Sequence, residues 1–353
     1  MHLFDHPDFD HHEKVLFVED AANGLRAIIA LHDTTLGPAL GGCRYWRYAS
    51  EAEAVTDALR LSRGMTYKSA LAGLDLGGGK SVILADPARP KTPALLRAMG
   101  RAVDSLGGLY TVAEDVGISL AEVETMAETT RHVAGIRAGG AGDPSPATAF
   151  GVFTGLRAAV RHGLGRSDLE GLKVAVQGLG SVGFELCRLL HGAGARLIVA
   201  DLDAARVAEA VESFGAVAAE PQGILAAEAE VFAPCALGAV IDDAALEVLQ
   251  ARVIAGAANN QLAEPRHGEA LRARGILYAP DYAINAGGIV NIAHEAGRAG
   301  PCYDREQAYA AIARIGETLT EIFRRAEREG LATSTAADRL AEERLRAARR
   351  AAA

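Results

Sequence analysis

Lys68, Lys80 and Asp115 stand in the short runs "MTYK", "GGGK" and "AED", all in the first half of the chain. Gly41–Gly42 and Arg44 lie upstream of them. Two lysines and one aspartate beside glycine turns or strand ends suit an amino acid substrate. One cation can pair with an α-carboxylate. A second lysine can polarise a carbonyl and activate water, and the carboxylate can shuttle the proton of an amine. Any one of them taken alone reads as an ordinary surface charge.

The stretch "GLDLGGGKSVIL" (73–84) invites a different chemistry, phosphate binding. A phosphate-binding P-loop needs G-x-x-x-x-G-K-[ST] between a strand and a helix. Counting back from Gly79–Lys80, the first glycine falls on Leu74, and Gly73 is one residue early. The strand-like run from Ser81 to Ala85 also follows the glycines instead of preceding them. The P-loop is excluded, and the pattern by itself leaves the role of Lys80 open.

A second glycine pattern passes its test. Gly178-x-Gly180-x-x-Gly183 follows the apolar run "LKVAVQ" and opens a helix, and Asp201 ends the next apolar run. This is the dinucleotide fingerprint in its full context. Gly178 serves a tight turn, Gly180 admits the pyrophosphate to the backbone, and Gly183 lets helix and strand pack closely. Leu179, Ser181 and Val182 complete the turn at the positive end of the helix. Asp201 suits ribose hydroxyls and repels a 2′-phosphate, which favours NAD over NADP. Arg206, just beyond it, softens that preference.

The elements that must position these residues alternate between strands and helices. "LRAIIALHD" (25–33), "SVILAD" and "LYTVAED" read as strands, and 50–65 and 92–106 as helices, the first with Ser50 and Glu53 at capping-box spacing. The glycine- and proline-rich 137–148 reads as a hinge, followed by a helix from Ala147 to Arg161. A second alternating unit follows, with strands at 172–177, 230–234, 252–260 and 276–281. Ligands of an open parallel sheet gather at the carboxyl ends of its strands. That nominates Cys235–Leu237, Asn259 and Asp281–Asn285. The fold class is α/β: a substrate and oligomerisation domain over 1–138 and a Rossmann domain over 139–319, with a cleft between them. The basic end "RLRAARRAAA" reads as a solvated, frayed helix.

Composition narrows the classes further. The 353 residues are 50% hydrophobic, enough for two cores, and the net charge of −9 disfavours nucleic acid and anionic membrane as partners. Cys43, Cys187, Cys235 and Cys302 are far apart, which argues against disulfides and zinc and fits a reducing cytoplasm. The polar N-terminus does not read as a signal peptide, and no apolar run has the length of a membrane span. His6, His11 and His12 lack a companion ligand set and read as a solvated turn, with no metal expected.

The blocks "TTLGPALGGCR", "GMTYKSALAGLDLGGGKSVI", "AEDVG", "DPSPATAFGV", "VAVQGLGSVG", "FAPCALG", "AGAANNQL" and "APDYAINAGG" run in order through nearly the whole chain. Together they resemble the glutamate, leucine, phenylalanine and valine dehydrogenase superfamily, its leucine branch most of all. The resemblance implies reversible, NAD-dependent oxidative deamination of an L-amino acid to a 2-oxo acid and ammonia. It implies that Lys80 and Asp115 are catalytic, that the glycines before Lys80 let a substrate approach closely beside it, and that Lys68, with Gly41, Gly42 and Met65, binds the substrate. Asn259 is implied near nicotinamide and substrate, Thr148 near the carboxamide, and Arg44, Leu202, Cys235 and Ala236 among the cofactor contacts. It further implies a homo-oligomer, such as an octamer, and a C-terminal helix (about 320–353) returning to the first domain. Asp143 and Cys43 replace the Asn and Thr common in the family.

The positions matching the side-chain carboxylate contacts of the glutamate branch are Leu40 and Ile292. Both are apolar, so a glutamate carboxylate would be buried unpaired at a cost of several kcal/mol. With Ala113 and Ile289 they favour a branched aliphatic side chain, with an aromatic one as the alternative. A hydroxy-acid dehydrogenase would want a histidine in the catalytic blocks, and there is none. A non-catalytic NAD-binding regulator would lack the Lys68, Lys80 and Asp115 set.

Overall fold

The computed structural model describes residues 3–137, 140–295 and 303–352, which leaves Cys302 and part of the expected hinge outside. The chain divides into two compact units. One holds Met1–Asp143, Asn291–Arg305 and Ala341–Ala353, and the other Pro144–Val290 and Glu306–Leu340.

The first unit runs β1 (Lys14–Asp20), β2 (Leu25–Asp33), β3 (Ala39–Trp46), α1 (Glu51–Leu71), β4 (Gly77–Leu84), α2 (Pro93–Asp104), β5 (Tyr110–Ala113) and α3 (Leu120–Ala127). Its sheet has the order β1-β2-β4-β3-β5. β3 is parallel to β4 and β5, whereas β2 is antiparallel to β1 and β4. Ser50 Oγ accepts from the Glu53 N–H at 3.1 Å and starts α1. Ala54, Val55, Ala58 and Leu59 then bury against Ile28, Ala30 and Val82 of β2 and β4. α1 outlasts the expected helix by more than a turn, so Lys68 rides on it, on the same face as Met65 three residues earlier.

Two strands escape the sequence pattern. β1 is an edge strand that leaves Phe17 exposed. β3 contains Gly41–Gly42, residues that disfavour strands in isolation. β4 likewise starts at Gly77, so its three glycines lie within the strand and not in a loop before it.

The second unit holds α4 (Ser145–Leu164), β6 (Lys173–Gln177), α5 (Ser181–Gly192), β7 (Arg196–Ala200), α6 (Ala204–Phe214), β8 (Val217–Ala218), β9 (Val231–Pro234), α7 (Asp243–Val248), β10 (Val253–Ile254), α8 (Arg266–Ala273), β11 (Leu277–Tyr278) and α9 (Asp281–Ile284). Its six strands are all parallel, in the order β11-β10-β9-β6-β7-β8. The order reverses direction at β6, which puts the glycine turn after β6 at a topological switch point. After α10 (Gly287–Ala293) come α11 (Arg305–Ala313), α12 (Ile315–Glu329) and α13 (Thr333–Ala352). α12 packs on α4 in the second unit, and the chain rejoins the first unit only at Ala341, later than the expected 320.

The basic end is not a frayed, solvated helix. Arg344 donates to Ala70 O at 2.6 Å and Leu74 O at 3.0 Å, and Arg349 donates to Asp33. The end of α1 offers unsatisfied carbonyls and the negative pole of its dipole, which a guanidinium satisfies. Of the N-terminal histidines, His11 is exposed as expected and His12 is not. His12 is buried, with Nε2 3.0 Å from Leu59 O and Nδ1 accepting the Asp10 N–H, and its ring lies edge-on to His32. Burial pushes its pKa down to about 4.

Candidate functional site

In the first unit, β3, β4 and the end of β5 bring the charged residues together. Lys80 points from the middle of β4, with its side chain only 6% exposed, and its Nζ lies 2.9 Å from Asp115 Oδ2. Asp115 follows β5 directly. Burial raises its carboxyl pKa, but the Lys80 and Arg44 cations outweigh that and hold it below the usual carboxylate value. Both cations meet the same oxygen, since Arg44 Nε donates to Oδ2 at 3.0 Å. Oδ1 receives no hydrogen bond among the described residues.

Arg44, expected among the cofactor contacts, has its Nε and Nη1 committed elsewhere. Nη1 donates to both oxygens of Asp57 on α1, at 2.9 and 3.2 Å, and Tyr48 Oη donates to Asp57 at 2.6 Å. Sequence reasoning missed Asp57 and Tyr48, which carry no motif and meet Arg44 only when α1 lies on the sheet.

The glycines of β4 make close packing possible. A Cβ at Gly78 would lie 2.1 Å from Thr66 N on α1, and one at Gly79 would lie 2.8 Å from the Tyr110 ring. Protein atoms therefore fill the space that the sequence reading reserved for substrate. Glycine in a strand interior marks such a close approach. The Tyr110 hydroxyl, wholly buried, donates to Gly41 O at 2.9 Å and fixes the backbone of Gly41–Gly42 from below. Leu40, Ala113 and Ile292 of this unit are buried and apolar, as is Ile289 of the second unit; Met65 and Lys68 are half-buried. Cys43 is buried, and desolvation pushes its thiol up to about 12, too high to serve as a base near neutrality.

In the second unit the turn after β6 has the geometry a dinucleotide needs. Gly178 has φ +93°, and a Cβ there would meet Ala236 at 2.7 Å. At Gly183 a Cβ would lie 2.0 Å from Gly178 O, so α5 starts tightly against the turn. At Gly180 the space is open, with Arg206 Nη1 the nearest atom at 3.8 Å. Ser181 and Val182 form the first turn of α5, Leu179 is buried, and Leu202 is 89% exposed beside Asp201. Asp201 accepts from the Leu179 N–H at 2.5 Å and the Asp203 N–H at 2.8 Å. Each oxygen keeps a further acceptor site. Its pKa is lowered, because these backbone donors and Arg206 outweigh a desolvation that raises it.

The strand ends sort into residues open to solvent and residues that brace the backbone. Asn259 is exposed, and its Oδ1 accepts from Asn285 Nδ2 at 2.7 Å. That leaves the Asn259 amide N–H group as the donor it can offer. Cys235 is half-buried, with Ala236 and Leu237 exposed beyond it. Thr148 Oγ1 donates to Pro144 O. Asp281, nominated as ligand-facing, is instead buried and binds Asn260 N at 2.5 Å and Tyr278 Oη at 2.9 Å. It braces Asn260, whose φ is +51°. Among the described residues no cluster of His, Cys, Asp and Glu could hold a metal ion, and no helix is long and apolar enough to cross a membrane.

Residues 12–132 match the Glu/Leu/Phe/Val dehydrogenase dimerisation domain, and residues 139–209 and 202–352 match the Glutamate/Leucine/Phenylalanine/Valine dehydrogenase family. The chain belongs to this family of amino acid dehydrogenases. It is 51% identical to a leucine dehydrogenase of Geobacillus stearothermophilus, over 99% of this chain and 95% of that one. Its fold is similar to the crystal structure of L-tryptophan dehydrogenase from Nostoc punctiforme, with TM-score 0.84, 46% identity and 96% and 97% of the two chains covered. It is also similar to a hetero-hexameric glutamate dehydrogenase from Thermus thermophilus, with TM-score 0.77, 25% identity and 99% and 92% covered. The family is NAD(P)-dependent, and the open glycine turn with a carboxylate at the end of β7 fits such a dinucleotide.

Proposed function

We propose that the protein is an NAD-dependent L-amino acid dehydrogenase that oxidatively deaminates leucine or another branched-chain amino acid. The pairing of buried Lys80 with half-buried Asp115 carries the reading. Amino acid, water and NAD⁺ give the 2-oxo acid, ammonium, NADH and a proton. Bound nicotinamide supplies the hydride acceptor. Lys68 holds the α-carboxylate beside the Gly41–Gly42 backbone. Asp115 takes the amine proton on Oδ1, the oxygen left open; Lys80, having released its own proton to solvent, takes a proton from the water that attacks the iminium carbon and, as the ammonium so formed, polarises the carbonyl of the 2-oxo acid. Asp115 then returns its proton to the departing ammonia.

Asp201 supports NAD over NADP, because its carboxylate accepts ribose hydroxyls and repels a 2′-phosphate. Leu40, Ala113, Ile289 and Ile292 support an apolar substrate side chain, since none offers a partner to a carboxylate. An aromatic substrate is the second reading, favoured by the similarity to the tryptophan dehydrogenase. The dimerisation-domain match supports a homo-oligomer, which we take to be an octamer in the cytoplasm.

Absorbance of NADH formed with a panel of L-amino acids tests the reading. Leucine or valine is expected to outpace both phenylalanine and glutamate. Glutamate as the best substrate would overturn the assignment of Leu40 and Ile292, and no turnover with any amino acid would overturn the function.

A further inference from the structure

The Asp115 carboxylate is unevenly loaded. Lys80 and Arg44 both bind Oδ2, and Oδ1 is left without a donor among the described residues. Lys80 is the group assigned above to the attacking water, so its bond to Asp115 is not free to serve as the fixed anchor. Arg44 is a better one. Its planar fork sits between two carboxylates, with Nε on Asp115 and Nη1 on Asp57. Asp57 is itself tied to α1 and bound by Tyr48 Oη at 2.6 Å. Two cations and two carboxylates balance within the cluster, which makes its partial burial tolerable.

We propose that Arg44, braced by Asp57 and Tyr48, is a positioning residue that pins Asp115 through Oδ2 and so presents Oδ1 to the substrate amine. This rests on Asp115 as the proton acceptor. The remaining groups facing Asp115 are Cys43 on β3, Tyr110 on β5, the adjacent Glu114 and Tyr48. Burial raises all four, and the thiol and both phenols stay protonated through the working range. Glu114 is the one competing titration, raised by burial and then by Asp143 and Asp115.

Removing the Arg44 charge takes away one of the two cations that favour the ionised carboxylate, so the Asp115 pKa rises. The acidic limb of the kcat profile then moves to higher pH, by about one unit, the lower end of the range for one neighbouring charge. The experiment measures kcat and KM against pH for wild type, Arg44→Met, Arg44→Lys, Tyr48→Phe and Asp115→Asn. The first two variants are repeated in a Glu114→Gln background.

Arg44→Met is expected to shift the limb upward and to lower kcat more than it raises KM. Arg44→Lys keeps a charge but cannot bridge two carboxylates, so it should return the limb toward wild type with kcat still reduced. Tyr48→Phe, the mildest change, should lower kcat without moving the limb as far. If Arg44→Met lowers kcat equally at every pH, or leaves it within twofold, the positioning role is wrong. If Arg44→Met does not fold, a wild-type limb and wild-type kcat in both Arg44→Lys and Tyr48→Phe overturn it equally. Asp115→Asn separates the two layers: full activity there removes the acid/base reading itself, whereas an inactive Asp115→Asn beside a wild-type-like Arg44→Met removes only the proposal.

Discussion

Gly77–Gly79 in the first unit and Gly178–Gly183 in the second are both glycine-rich, and their missing side chains do opposite things. At Gly78 the vacated space is filled by Thr66 of α1, 2.1 Å from where a Cβ would stand. At Gly180 it is open for 3.8 Å. In the first stretch, glycine lets a helix lie on a strand, and Lys80, the proposed catalytic lysine, follows at the next residue. In the second, glycine leaves the backbone bare for an outside molecule. A glycine cluster thus marks a close approach. What approaches, protein or ligand, depends on what stands opposite it.

The largest effect expected from this contrast lies at Lys80. Lys80→Ala should lower kcat by ~10²–10⁴-fold, the range for a general acid/base, while NADH binding, followed by fluorescence, stays intact. Lys68→Ala should raise KM for the amino acid more than it lowers kcat, because its contact exists in ground and transition states alike. A wild-type kcat in Lys80→Ala would make the first glycine stretch purely structural.

The glycines themselves come next. Gly78→Ala forces a methyl group into the α1 backbone and should cost about 1–3 kcal/mol of stability, as overpacking does. Thermal unfolding should show a lowered Tm. Gly180→Ala should leave the Tm nearly unchanged and weaken NADH binding. Equal loss of stability in the two variants would erase the distinction drawn between the stretches.

The smallest effect concerns Asp201. Asp201→Ser removes a carboxylate that also accepts the Leu179 N–H of the glycine turn. It should narrow the gap between NAD and NADP in kcat/KM, mainly through about 1 kcal/mol of lost NAD binding. Equal wild-type efficiency with both cofactors would show that Asp201 does not set the choice.

The second unit was the more legible in sequence. Its glycine turn, the strand before it, the helix after it and Asp201 are all local in the chain, and local geometry is what spacing encodes. Its later strands were announced at greater length than they have: 252–260 contains only Val253–Ile254 of β10, because the backbone beyond it leaves the ladder, with Ala258 N–H donating to Pro234 O. The first unit was read less well. β3 hides behind Gly41–Gly42, whose strand conformation is imposed by pairing with β5, between the Leu40 and Cys43 pairings to β4. His12 looked like a solvated residue until α1 supplied Leu59 O and Ser62 as partners for its ring.

The sequence by itself determined the α/β alternation, the glycine turn between strand and helix, and the apolar character of Leu40, Ala113, Ile289 and Ile292, and it nominated Lys68, Lys80 and Asp115 as candidates for the chemistry. These follow from residue type and short spacing, which survive without a fold. Only the tertiary structure decided that Arg44 serves Asp115, that Asp57 and Tyr48 stand behind it, that Thr66 fills the space over Gly78, and that Arg344 closes the end of α1. Each of these joins residues far apart in the chain, or on different elements. A side chain's partner across such a gap is chosen by how helix and sheet pack, which no local pattern records.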